Sequence, residues 1–290
     1  MKRNAVLFSS HLMGDTILSR LRKLRAEVPV GHDVFFYYDE TRLNDAEVSR
    51  LVGPALGHGS HDWSRYKRPC HYFPDKIPGN EDGMLLSAFH RLPTYDNYWY
   101  VEYDVVYSGD WRNFFQNFAD NTADMLSTSI ARHDRIPDWP LWKSLELPDG
   151  LVLPEQQWLR SFNPVVRLSR SALETLSREY REHGWAGHSE CVVPTVLAYR
   201  GLQIEDIGGS GEFVPPGREN RYYRNNWLDK SLTPGTFVFR PPMPEPGAEP
   251  DLLWHPVKDI DHRTWDRDVE PPSPLSFRLQ GLFRRWRGRP

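Results

Sequence analysis

Short apolar runs alternate with helically spaced ones along most of this chain, and that alternation limits the possible folds more than any other feature. Residues 5–8, AVLF, form a continuous apolar run, the mark of a strand covered on both faces. Ile17, Leu18, Leu21 and Leu24 follow at helical spacing among arginines and lysines. DVFFYYDE (33–40) repeats the buried-strand pattern and ends in acids. Residues 45–52 predict a short helix closed by Gly53-Pro54, and 57–79, rich in His, Gly, Pro and aromatics, predict a loop. EDGMLLSAFHRL (81–92) predicts a helix leading into a strand over 98–107. WRNFFQNFAD then predicts a helix, and ADMLSTSIA and NPVVRLS (163–169) predict strands. RSALETLSREYREHG predicts a helix closed by Gly184. CVVPTVLAYRG predicts a further helix entered through Pro194, and LQIEDIG a last strand. Such alternation implies an α/β fold, a mostly parallel sheet flanked by helices, which binds ligands beyond the carboxyl ends of its strands.

Composition narrows the function classes. The chain has 290 residues, 39% of them apolar, enough for a sizeable core. A net charge of only −3 argues against a nucleic-acid binder. The basic start MKRNAVLFSS has too short an apolar run for a signal peptide, and no segment reaches transmembrane length. A cytoplasmic protein is expected, with Cys70 and Cys191 as ordinary thiols, although a disulfide between them stays open. GGSGEF (208–213) lacks the lysine and context of a phosphate-binding loop and is expected to be a turn. Residues 1–260 are expected to form the folded domain and 261–290 a C-terminal extension. In that extension Leu279, Leu282, Phe283 and Trp286 would make one apolar stripe among arginines, suited to an anionic membrane surface or to packing on the domain.

The stretch YWYVEYDV (98–105) points to chemistry. Glu102 and Asp104 stand two apart at the end of an aromatic run, so strand alternation puts both on one face. Two ionised acids there repel each other, and a hard divalent cation relieves that repulsion. The alternative is a solvated strand end.

This stretch resembles the degenerate D-x-D motif of GT-A fold glycosyltransferases, with glutamate in the first position, and the resemblance covers roughly residues 4–259. LLWHPVKD (252–259) resembles the late segment that supplies a further metal ligand in that family. The resemblance implies Glu102, Asp104 and His255 around Mn²⁺ or Mg²⁺, and Lys258 near the diphosphate of a nucleotide sugar. A histidine packed behind Trp254 is the other reading of His255. Ser9, His11 and Asp39, at the ends of the first strands, are the implied contacts to base and ribose. GWAGHSECVVPTVLA resembles the acidic segment in which inverting members carry their general base, which implies Glu190 as the catalytic group. The competing reading is a plain helix start with Ser189 as N-cap and Glu190 in the first turn; His188 is the alternative base. Trp139 and Trp142 would be an acceptor platform or buried loop anchors, and Arg221 or Arg224 would reach phosphate. Together these imply metal-dependent sugar transfer from a nucleotide diphosphate sugar to a saccharide or lipid-linked acceptor. A non-catalytic sugar- or nucleotide-binding protein and a metal-dependent phosphohydrolase are the alternatives.

Overall fold

The computed structural model describes residues 2–59, 63–68 and 79–258. Its centre is a seven-stranded sheet in the order β3-β2-β1-β4-β7-β6-β8. The strands are β1 (Asn4–Ser10), β2 (His32–Asp39), β3 (Ala55–His58), β4 (Asn97–Glu102), β6 (Met125–Arg132), β7 (Leu159–Ser169) and β8 (Ile204–Asp206). β1 pairs in parallel with β2 and β4, while β7 runs antiparallel to both β4 and β6. The sheet is therefore mostly parallel, and the first residues of β7 lie at the same edge as the last residues of β4.

Helices cover both faces, as the apolar spacing requires. α1 (Asp15–Glu27) buries the expected stripe of Ile17, Leu18, Leu21 and Leu24. It shares one core with α2 (Asp45–Val52) and α4 (Trp111–Gln116), against Val6, Phe8, Trp99 and Val101 of the sheet. The opposite core joins α3 (Glu81–Arg91), α5 (Arg170–Arg178) and α6 (Ser189–Tyr199) to Ala5, Leu7, Tyr98 and Tyr100. Successive residues of β1 and β4 thus feed opposite cores, so both strands read as unbroken apolar runs.

Four sequence expectations need correction. The strand expected over 98–107 stops at Glu102, and residues 103–104 form a turn closed by a hydrogen bond from Val105 N–H to Glu102 O of 3.0 Å. The loop expected over 57–79 begins only after β3 ends at His58, and among the described residues β3 pairs with β2 alone. β7 begins at Leu159 rather than Asn163. α6 begins at Ser189, so Pro194 lies inside it and withholds the N–H that would bond the Glu190 carbonyl. The 261–290 extension, its membrane-binding stripe and Cys70 fall outside the described residues; Cys191 is buried.

A two-stranded ribbon carries the late segment back to the sheet. β5 (Val106–Tyr107) pairs antiparallel with β9 (Leu253–Trp254), placing Trp254 opposite Val106. Below the other core, Lys67 is fully buried and donates to both Asp82 oxygens, at 2.8 and 2.9 Å, and to Gly187 O at 2.7 Å. Tyr180 OH also donates to Asp82, at 2.7 Å. This ion pair ties the start of α3 to the segment that leads into α6. Removing one partner strands a buried charge, so Asp82→Ala should cost about 3–5 kcal/mol of stability in chemical denaturation. A combined Lys67→Met, Asp82→Leu variant should recover much of that loss; if it is no more stable than Asp82→Ala, the pair is not what holds these segments.

Candidate active site at the carboxyl edge of the sheet

The turn after β4 and the ribbon of β5 and β9 bring three sequence-distant side chains together. One ligand atom from each of Glu102, Asp104 and His255 lies within 4.8 Å of the others. The His255 Nε2 stands 3.5 Å from Asp104 Oδ1 and 3.7 Å from Glu102 Oε2. Asp104 is only 2% exposed, so the turn, not strand alternation, presents its carboxylate.

Backbone bonds fix this geometry. Val257 N–H donates to Asp104 O at 2.8 Å, and Arg20 on α1 donates to Tyr103 O at 2.9 Å and Val257 O at 2.8 Å. One guanidinium therefore clamps the acidic turn to the segment that follows His255. His255 is packed between the rings of Phe162 and Phe237, and its Nδ1 sits 2.8 Å from Val238 O. A carbonyl can only accept, so Nδ1 carries the proton and the lone pair of a neutral ring is left on Nε2, facing the acids. The ring is thus packed, between Phe162 and Phe237, and its Nε2 faces the carboxylates.

These residues fit a divalent cation. Asp104 Oδ2 accepts from Lys258 Nζ at 2.8 Å, whereas its buried Oδ1 has no hydrogen-bond partner among the described residues. An orphaned carboxylate oxygen, a second carboxylate and an imidazole lone pair form a donor set suited to a hard or borderline ion. Burial alone would raise the Asp104 carboxyl; His255 and Lys258 outweigh it and bring its pKa below the usual value. Burial works against the Lys258 ammonium, but Asp104 outweighs that and moves its pKa up.

The remaining candidates line the same edge. Ser9 stands in register with Glu102, and its carbonyl accepts from Tyr103 N–H at 2.9 Å. The His11 ring meets Tyr103 edge-on, with centroids 5.2 Å apart. Burial, then the charges of Arg42 and Lys258, hold the His11 pKa low. Asp39 ends β2, but one of its oxygens is taken by the N–H and hydroxyl of Thr41, at 2.9 and 2.6 Å.

A second group of acids faces α6. Glu190 opens that helix with its side chain 18% exposed, enclosed yet reachable. Burial pushes its carboxyl up to about 8, and the Glu81 charge adds to this; Arg160 and the Asn163 backbone N–H pull the other way. Burial likewise lifts Glu81 to about 7, with Glu102 adding to the lift and the Ser189 hydroxyl opposing it. The N-cap is not Ser189. His188 Nδ1 accepts from Glu190 N–H at 3.2 Å, while Ser189 Oγ turns to Glu81. That bond occupies the basic nitrogen of His188, and burial with Lys67 lowers its pKa to about 3, so it is poorly placed to act as a base.

Trp139 and Trp142 are 7% and 4% exposed and pack with Ile136 and Cys191, so they anchor a loop and offer no sugar platform. Arg224 pairs with Glu249, and Arg221 covers the Tyr222 ring; neither is paired with a site carboxylate. GGSGEF is a turn, and its Gly208 and Gly209 N–H groups donate to Asp206 at 2.8 and 3.0 Å. Glu81, Arg160, Asn163 and Arg20 were not singled out from the sequence. The only local signal was Glu81 at a helix start, where acids are common for dipole reasons alone.

No family model matches the chain, and no curated protein matches it in sequence. Its mostly parallel seven-stranded sheet with helices on both faces is an α/β fold, as the alternation of strands and helices in the sequence implies. Among solved structures it is similar to mouse xyloside xylosyltransferase 1, at 9% identity and a TM-score of 0.39 over 71% of this chain and 85% of that one. It is also similar to the inositol-1-phosphate CTP transferase of T. maritima, at 9% identity and a TM-score of 0.40 over 74% and 90% of the two chains. A glycosyltransferase of Streptococcus pneumoniae matches at 11% identity and a TM-score of 0.35 over 71% of this chain and 45% of that one. Likeness at this level says nothing about chemistry, which rests on the side chains. No helix among the described residues is long and apolar enough to cross a membrane.

The electrostatics of Glu190 have a measurable consequence. An unfolded glutamate ionises near 4.5, whereas Glu190 in the fold keeps its proton to about 8. Between those values the folded state holds the extra proton, so ionising Glu190 lowers stability as pH rises. Glu190→Gln should therefore raise the Tm, by little at pH 5 and by several degrees at pH 8 and above, without added metal. A pH-independent change would mean that Glu190 is not held against ionisation.

Proposed function

We propose that the protein is a metal-dependent glycosyltransferase that moves a sugar from a nucleotide diphosphate sugar to an acceptor hydroxyl of a glycan or lipid-linked saccharide. The observation that carries this reading is the cluster of Glu102, Asp104 and His255 at the carboxyl edge of the sheet, with Glu190 near enough for the Glu102 charge to raise its proton affinity. A sugar phosphate is already an anion when it attacks, so nucleotidyl transfer needs no such base. A hydroxyl does need one, which favours glycosyl over nucleotidyl transfer.

The Glu190 carboxylate takes the proton from the acceptor hydroxyl. The hydroxyl oxygen forms its bond to the anomeric carbon as the bond from that carbon to the diphosphate oxygen breaks. The diphosphate departs with the electron pair. Mn²⁺ or Mg²⁺ held by Glu102, Asp104 and His255 would supply positive charge to that leaving group. Lys258, anchored on Asp104, keeps further N–H donors for the same phosphates, while Ser9, His11 and Asp39 line the path to the nucleoside. Arg20 holds the two halves of the cluster at a fixed separation.

Two measurements test the reading. Mn²⁺ should tighten nucleoside diphosphate binding to the wild-type protein but not to Asp104→Ala, and chelator should reverse the gain. Equal binding in all cases would remove the metal assignment. Glu190→Gln should lower turnover by about two to four orders of magnitude with donor affinity intact. Near-normal turnover would leave Glu190 as a helix-start residue. Phosphate release without sugar transfer would favour the hydrolase, and donor binding without turnover the binding protein.

A further inference from the structure

Ser189 opens α6 yet does not serve its own helix. A serine at a helix start ordinarily accepts from one of the free backbone N–H groups there. The Ser189 hydroxyl instead donates across to Glu81 Oε2, at the start of α3. The same carboxylate accepts from Gly79 N–H, at 3.0 Å to Oε1 and 3.1 Å to Oε2. Gly79 O in turn accepts from Ser189 N–H at 2.9 Å. Glu81, Gly79 and Ser189 thus close a ring of hydrogen bonds between the starts of two helices. The buried Lys67 ammonium ties the same two segments once more, since it joins Asp82 to Gly187 O.

Glu190 is the next residue along the chain, and it is held from both sides. Its own N–H donates to His188 Nδ1 at 3.2 Å, while Ser189, only 1% exposed, is pinned by Glu81. Of the charges around the Glu190 carboxyl, that of Glu81 acts on it most, so the two acids are near neighbours.

We propose that Glu81 is a positioning residue for Glu190: through the Ser189 hydroxyl its carboxylate fixes the first turn of α6, and with it the place from which Glu190 takes the acceptor proton. This rests on the reading of Glu190 as the general base. A reacting group misplaced by about 1 Å loses on the order of a hundredfold in rate. The donor, held at the Glu102, Asp104 and His255 cluster, does not depend on where α6 starts.

The test follows nucleoside diphosphate release with Mn²⁺ from UDP-glucose, UDP-galactose, GDP-mannose and dTDP-glucose, with methyl hexosides as acceptors. Ser189→Ala removes the donor of the tether and Glu81→Ala its acceptor, whereas Glu81→Gln keeps an oxygen able to accept from both Ser189 and Gly79. Each alanine variant should lower kcat by about ten- to a hundredfold, with the KM for the nucleotide sugar unchanged. The double alanine variant should fall no further than the larger single loss, because both substitutions cut one bond. Glu81→Gln should recover most of the lost kcat. Alanine variants with wild-type kcat overturn the proposal alone, and so does a Glu81→Gln variant no better than Glu81→Ala. Losses that multiply in the double variant, or a KM that rises as kcat falls, overturn it as well. A wild-type protein that releases no diphosphate from any of these donors overturns the glycosyltransferase reading and this proposal with it. Unchanged Tm in Ser189→Ala shows that its loss is not one of folding.

Discussion

Asp104 holds a carboxylate almost out of reach of water, and much of the chain is arranged to meet that charge. An isolated buried carboxylate is costly, and here two cations or potential cations from one C-terminal segment offset it. Lys258 takes one oxygen, and His255 faces the other at 3.5 Å. Neither would reach Asp104 without the β5–β9 ribbon, and the ribbon would not hold its distance from the turn without Arg20 on α1. Three remote segments are thus committed to one side chain.

The acids near this edge divide into two environments. Asp104 is kept ionised by its cationic neighbours, whereas burial pushes Glu81 and Glu190 toward the protonated form, with the Glu102 charge adding to the first and the Glu81 charge to the second. Carboxyls whose environments push their pKa values apart can take different roles, one binding a cation and the other moving a proton. The second environment is obtained at a cost in stability, the usual tension at a reactive site.

Legibility followed locality. The helical stripe of Ile17, Leu18, Leu21 and Leu24 and the run at 5–8 are patterns of neighbouring residues, and the structure has both where the spacing put them. β3 escaped because ALGH has weak strand residues and, among the described residues, a single partner strand. The first half of β7 escaped because Arg160, Ser161 and Asn163 are buried through hydrogen bonds and ring contacts rather than apolarity, which leaves no periodic signal. Glu102 and Asp104 were visible as acids after aromatics, yet alternation was the wrong reason, since the strand ends between them. His188 displaced the expected Ser189 cap because Ser189 was drawn to Glu81, a contact across 108 residues that no local rule contains. His255 reached the reading only through resemblance, for the same reason.

The separation of the cluster along the chain also orders its biosynthesis. Glu102 and Asp104 leave the ribosome long before His255 and Lys258, and contacts of such sequence separation form late because closing the intervening loop costs entropy. Through that interval the nascent domain carries its two acids without their counter-charges or the second half of the Arg20 clamp. A message cut anywhere upstream of codon 255 would therefore yield a chain that lacks His255 and Lys258 and keeps an unrelieved charge beneath the sheet edge. Quality control would meet such a fragment as a folding problem before any loss of chemistry could be noticed.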